Sequence, residues 1–146
     1  MSQRADFYSS SPEAMKAMMQ LEVAVGKLGL EPALIEIIKL RASQVNGCAY
    51  CVDMHTMDMR KAGEDERRIA TVCVWRETPF FTARERAVLG WTEALTRLAD
   101  THAPDAEYDA MKAEFSDKEM VDVTLAINTI NAWNRFGVGF RKVPAL

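Results

Sequence analysis

The 146-residue sequence predicts an all-α chain, a single domain spanning residues 1–146 and built from six or seven helices. Three observations lead there. Apolar residues recur at spacings of three and four, Pro and Gly fall between those stretches, and no segment alternates convincingly at a period of two. Ser11-Pro12-Glu13 supplies an N-cap, a first-turn proline and an early acid, opening a helix to about Lys27 that Gly29 stops. Pro32 opens the second, with Ile35, Ile38, Ala42 and Val45 on one face and Asn46-Gly47 as its end. The third runs from about Cys48 to Ala62, ended by Gly63, and the fourth from Asp65 to about Trp75. After a break at Pro79-Phe80-Phe81, Thr82-Ala83-Arg84-Glu85 reads as a capping box. Val88, Trp91, Leu95 and Leu98 continue from it as an apolar stripe. Pro104 begins a short sixth helix to about Phe115. Ser116-Asp117-Lys118-Glu119, a second capping box, opens the last and longest, lined by Met120, Val123, Ile127 and Ile130.

Composition narrows the function. Hydrophobic residues at 49% and charged residues at 27% suit a folded domain with a real core and not a disordered chain. The net charge is −3 and no Lys/Arg run exceeds two residues, so the clustered positive charge that phosphate backbones require is missing. Nucleic acid is therefore not expected as a partner. Nor is a membrane: no apolar stretch approaches the ~20 residues of a spanning helix. The polar start Met1-Ser2-Gln3-Arg4 has no signal-like apolar region behind it. Three cysteines, an odd count, suit a reducing cytoplasm better than secretion.

The chemistry concentrates in Asn46-Gly47-Cys48-Ala49-Tyr50-Cys51-Val52-Asp53-Met54-His55. On a helix starting near Cys48, the residues Cys48, Cys51 and His55 share one face. Two cysteines three apart can close a disulfide in a first helical turn, where free N–H groups and the dipole favour the nucleophilic thiolate. His55, one turn beyond Cys51, can take its proton or stabilise its anion. That combination suits thiol redox chemistry, in which one sulfur is oxidised and the other condenses with it. Two other readings compete. The cysteines could be small core residues, or Cys48, Cys51, His55 and Cys73 could hold a structural zinc, although the second short chelating pair usual in such sites is missing. Cys73, between Val72 and Val74, is read as core packing, and no metal or cofactor is expected.

Glu36, eleven intervening residues, then Cys48-x-x-Cys51-x-x-x-His55, within LIEIIKLRASQVNGCAYCVDMHT, resembles the alkylhydroperoxidase D (AhpD) and carboxymuconolactone decarboxylase family. The likeness continues through VWRETPFFTARERAVLGWTEALT and INAWNRFGVGF, nearly the whole chain. It implies an all-helical fold assembling as a homo-trimer or homo-hexamer, with the cysteine pair at a helix start inside a pocket. It also implies reduction of peroxides, or electron relay to a peroxiredoxin, with a lipoyl protein or thioredoxin-like protein as a further possible thiol donor. The roles it carries over are Glu36 as proton acceptor, Cys51 as the more buried sulfur, Cys48 as the more exposed one, and His55 as relay. Glu36 lies beside Ile35, Ile37 and Ile38, surroundings that suit a carboxylate acting as a base.

One departure matters. The best-known peroxidase members have a second histidine between the cysteines, where this chain has Tyr50, a possible pocket residue that donates a hydrogen bond but is no base near neutral pH. The decarboxylase branch generally lacks the cysteine pair. The expected activity is therefore thiol-dependent peroxide or disulfide reduction through Cys48, Cys51, His55 and Glu36. The alternatives are a non-catalytic redox-sensing or binding module and a lyase acting on a lactone acid. Asn128, Asn131 and Arg135 are read as helix or subunit contacts, and Arg67-Arg68 with Arg84-Glu85-Arg86 as solvated faces or subunit salt bridges.

Overall fold

In the computed structural model, which describes residues 2–145, the chain forms nine α-helices and one 3-10 helix, with no strand among the described residues. They are α1 Phe7–Ser10, α2 Pro12–Gly26, α3 Pro32–Asn46, α4 Ala49–Lys61, α5 Glu66–Thr71, α6 Ala83–Thr96, α7 Leu98–Thr101, α8 Asp105–Glu114 and α9 Asp117–Gly139, with the 3-10 helix Val72–Glu77 between α5 and α6. None of them is long and apolar enough to cross a membrane.

The centre is α3, which packs against α4, α6 and α9, while α2 lies on α9 and α8 on α6. Ile37, Ile38 and Leu40 of α3 are fully buried in one cluster with Leu89 of α6, Met111 of α8 and Ile127 and Ile130 of α9. Burying each such side chain contributes about 1.5–3 kcal/mol, which is what holds α3 in the middle of the bundle. The helix starts lie where the local chemistry put them. Pro12 and Pro32 occupy first-turn positions, and both capping boxes form. Thr82 accepts from the Glu85 N–H (3.2 Å) while Glu85 accepts from the Thr82 N–H (2.8 Å), and Ser116 and Glu119 repeat the exchange at 3.3 and 2.8 Å.

Four expectations need correction. The count rises from six or seven helices to nine, since two single-turn helices carry no periodicity to read. They are α1, capped by the Asp6 carboxylate on the Tyr8 N–H (3.1 Å), and α7. The stripe through Leu98 stops early: α6 ends at Thr96 and Leu98 is 52% exposed. The expected fourth helix splits at Val72 into a 3-10 turn, whose tighter winding turns Val72 and Trp75 inward. Cys73 is consequently exposed rather than core, its thiol near the Ala70 carbonyl.

Arg68 and Arg84, finally, are clamps within the chain. Arg68 joins Glu64 on its own side to Glu85 of α6, with its guanidinium over the Phe81 ring at 4.9 Å. Arg84 reaches Glu31 (3.0 Å) and Glu119 (2.7 Å) while covering Phe115. Burial works against the charge on Glu85, but Arg68 and the Thr82 N–H outweigh it and hold the carboxyl below its usual range.

Candidate functional site

The cysteine pair is delivered by a sharp turn between α3 and α4. Gly47 takes a left-handed backbone (φ 68°), which glycine adopts without steric cost, and the Cys48 N–H donates to the Ser43 carbonyl at 3.0 Å. Cys48 is then the N-cap of α4, its sulfur accepting from the Cys51 N–H at 3.4 Å. Cys51 falls in the first helical turn, and the two sulfurs are joined as a disulfide with the Cα atoms 5.3 Å apart. Behind them runs α9. A Cβ placed on Gly137 would stand 2.7 Å from the Cys48 sulfur and 3.5 Å from the Cys51 sulfur, so the helix meets the pair at its bare backbone.

A buried polar network fixes this arrangement. The Asn46 amide, at the end of α3, donates to the side-chain oxygens of Asn131 and Asn134, both at 2.9 Å. Asn134 donates to the Ser43 hydroxyl at 3.0 Å, and Asn131 to the Thr96 hydroxyl at 3.0 Å. The α3–α4 turn is thereby tied to α9 one turn before Gly137. Asn131 is thus a contact between helices, as expected, whereas Asn128 and Arg135 lie on the exposed side.

His55 lies one turn after Cys51, buried at 4% exposure, and its Nδ1 is 3.1 Å from a carboxylate oxygen of Glu36 on α3. An ionised Glu36 is a pure acceptor, so it selects the tautomer with the proton on Nδ1 and leaves Nε2 with its lone pair. Nε2 is buried without a hydrogen-bond partner among the described residues. Such a nitrogen is costly to leave unpaired unless something else comes to it.

A cavity of about 290 Å³ opens beside this group. Its inner wall holds Cys51, His55, Glu36 and Tyr50; Ile130, Trp133 and Gly137 come from α9, and Phe7, Tyr8 and Lys142 from the two ends of the chain. Lys39 pairs with Glu22, which also accepts from the Trp133 indole N–H at 3.1 Å. Burial, then Tyr50, then Asp6 push the Tyr8 phenol above its usual value of 10.0, so it stays a neutral donor.

Four of the five candidate site residues, Glu36, Tyr50, Cys51 and His55, therefore line one cavity, while Cys48 sits behind Cys51 and does not reach it. Their relative depth is also the reverse of the expectation: Cys48 is 1% exposed and Cys51 4%, because Cys48 is wedged between α4 and α9. Cys73 stands apart on the surface, so the four-ligand zinc arrangement is not assembled. The grouping whose geometry could take a cation is instead Glu36, His55 and Asp58, with one donor atom from each within 4.8 Å of the others. Sequence reasoning missed Gly137, Lys142, Tyr8 and the Glu22–Lys39 pair. Of these only Gly137, inside the INAWNRFGVGF segment, carried a signal.

Residues 12–94 match the model of the carboxymuconolactone decarboxylase family. The chain belongs to that family. Within the carboxymuconolactone decarboxylase family it is similar to the uncharacterized protein YdfG of Bacillus subtilis (strain 168), at 41% identity over 94% of each chain. It is 37% identical to the alkyl hydroperoxide reductase AhpD of Streptomyces griseus over 62 residues, covering 41% of this chain and 34% of that one. A solved structure from Agrobacterium tumefaciens superposes with a TM-score of 0.96 at 49% identity, covering 99% of this chain and all of the other. That protein is of unknown function and is provisionally called an antioxidant defence protein AhpD.

Proposed function

We propose that the chain is a thiol-dependent peroxide reductase working through the Cys48–Cys51 pair. The observation that carries this reading is the convergence of a first-turn disulfide, the buried His55–Glu36 pair and one cavity on Cys51. In the dithiol form, His55 Nε2 takes the Cys51 proton, and Glu36 holds the imidazolium that results. The Cys51 thiolate attacks the outer peroxide oxygen. The O–O bond breaks, Cys51 becomes a sulfenic acid, and the alkoxide leaves as an alcohol with the proton returned by His55. The Cys48 thiol then displaces hydroxide, which departs as water with the Cys48 proton, and the disulfide forms. Two thiols of a donor molecule or partner protein reduce it again, giving their own disulfide in return.

Cys51 is the attacking sulfur in this scheme because it faces the cavity and His55, whereas Cys48 faces Gly137. Tyr50 stands where the resemblance places a histidine in peroxidase members, so in this scheme proton handling rests on His55 with Glu36. Homo-oligomeric assembly in a reducing compartment such as the cytoplasm belongs with this reading.

The test is a thiol count by mass spectrometry before and after peroxide, with the donor-driven rate measured in parallel. Two thiols per chain should be consumed. Cys51→Ser should abolish turnover, and Cys73→Ser should leave it intact, since Cys73 lies outside the cavity on the surface. Unchanged peroxide consumption in the Cys48/Cys51 double serine variant would sink the thiol mechanism. Oxidation without donor-driven turnover would instead mark a redox-sensing module.

A further inference from the structure

Among the described residues, the charged side chains lining the cavity are paired, with one exception. Glu22 is satisfied by Lys39 and Trp133, Glu36 by His55, and Asp58 has Lys61 at 3.7 Å. Lys142 has no carboxylate partner among the described residues. Its ammonium lies instead over aromatic faces, 4.8 Å from the Tyr8 centroid, 5.0 Å from Tyr50 and 5.6 Å from Phe7.

This position is held from the backbone. The Lys142 N–H donates to the carbonyl of Gly137 at 2.9 Å, and Gly137 is the residue lying against both sulfurs. The cation is therefore registered to the disulfide through a single backbone hydrogen bond. The same cavity is lined by Tyr50, adjacent to Cys51 in the chain, and by the apolar walls of Ile130 and Trp133. The cavity lining thus combines a cysteine and a base, apolar walls, and a half-buried cation ringed by aromatic groups. Tyr8, held neutral, adds a hydroxyl donor on the Lys142 side. A volume of about 290 Å³ suits a single ring or a short branched chain better than a long acyl tail.

We propose that the oxidising substrate is a small organic hydroperoxide carrying a carboxylate, bound with the anion at Lys142 and the peroxide at Cys51. This inference rests on the thiol peroxidase reading above and adds the substrate class to it. A carboxylate brings Lys142 a counter-charge that no described residue supplies, in surroundings partly shielded from water, where a charge-assisted hydrogen bond is stronger than on an open surface.

A matched pair of probes isolates the charge: cumene hydroperoxide and its para-carboxylate, 4-(2-hydroperoxypropan-2-yl)benzoate. Reduced protein is mixed with each in the absence of any thiol donor, so that only the oxidising half-reaction is read, as thiol loss over time. The carboxylate should react about tenfold faster than the neutral compound, a preference that shrinks at high salt. Lys142→Gln should collapse the ratio of the two rate constants toward one, and Lys142→Arg should restore it. Comparing the two probes within one variant removes any general loss of folding or reactivity. Equal rates in the wild type, or a preference that persists in Lys142→Gln, would overturn the proposal while leaving the thiol mechanism standing. Failure of both hydroperoxides to consume the thiols would overturn the mechanism itself. A separate arm uses unreactive 4-isopropylbenzoate, read by the fluorescence of Trp133 on the cavity wall. It should bind the wild type at least tenfold more tightly than it binds Lys142→Gln, and equal binding would overturn the anion site whatever the outcome of the peroxide arm.

Discussion

Replacing Gly137 with alanine should make the disulfide easier to reduce. The new methyl carbon would stand 2.7 Å from the Cys48 sulfur, well inside the separation of about 3.5–4.0 Å at which nonbonded heavy atoms rest. Forcing a methyl group into packed space costs about 1–3 kcal/mol. That cost falls unevenly on the two redox forms. In the dithiol, Cys48 can turn its sulfur away from α9; in the disulfide, it cannot move without carrying Cys51 along. If about 1.4 kcal/mol lands on the oxidised form alone, the thiol–disulfide equilibrium shifts tenfold and the midpoint potential rises by about 30 mV. Alanine also gains about 1 kcal/mol of helix propensity over glycine, equally in both forms, so the melting temperature alone is the wrong readout. The assay is equilibration against graded dithiothreitol couples, with free thiols trapped by alkylation and counted by mass. A folded Gly137→Ala protein with the wild-type midpoint would refute the claim that α9 meets the sulfurs at its backbone.

Two further outcomes follow from the surrounding packing. Asn134→Ala removes a 1% exposed amide and strands the Ser43 hydroxyl oxygen and one amide N–H of Asn46, which should cost about 1–3 kcal/mol and show as a lower urea midpoint with the slope unchanged. In acid, the clamps at Glu93 and Glu85 should fail. Burial opposes the charge on Glu93, yet Arg76, the Trp75 indole and Arg41 outweigh it and hold the carboxyl below its ordinary value of 4.5. A carboxyl lowered on folding contributes stability in full above its unfolded value and loses it as pH falls through the folded one. Denaturation midpoints should therefore hold steady from neutral pH down to about 5 and drop below 4.5, with Glu93→Gln flattening that drop.

Much of this fold can be read from short-range chemistry. Both capping boxes, the two first-turn prolines, and the glycines ending α3 and α4 act over a few residues, so their effect is visible in the string. The core of the site is legible for the same reason: Cys48, Cys51 and His55 lie at the start and along one face of α4, whereas Glu36, on α3, is marked by the family resemblance. The errors come where tertiary contacts outweigh local pattern. Val72-Cys73-Val74-Trp75 has helical composition, but the backbone tightens into a 3-10 turn with a kink at Val74 and faces Cys73 outward. Arg68 and Arg84 look like solvated charges until the fold brings Glu85, Glu31 and Glu119 to them. The depth of the two sulfurs was misjudged because it depends on α9, more than eighty residues away in the chain.

The roof of the cavity has a consequence of a different kind. Arg4 donates from its backbone to the Phe140 carbonyl at 3.0 Å and from its side chain to the Gly139 carbonyl at 2.8 Å, which brings residues 4–8 alongside residues 139–142. The groups that would choose a ligand are therefore carried by the two outer stretches of the chain, while the groups that would react are carried by α3 and α4. Selection and reactivity are separately mutable in such a layout: residues near either end can drift and change which molecules are admitted without disturbing the cysteines.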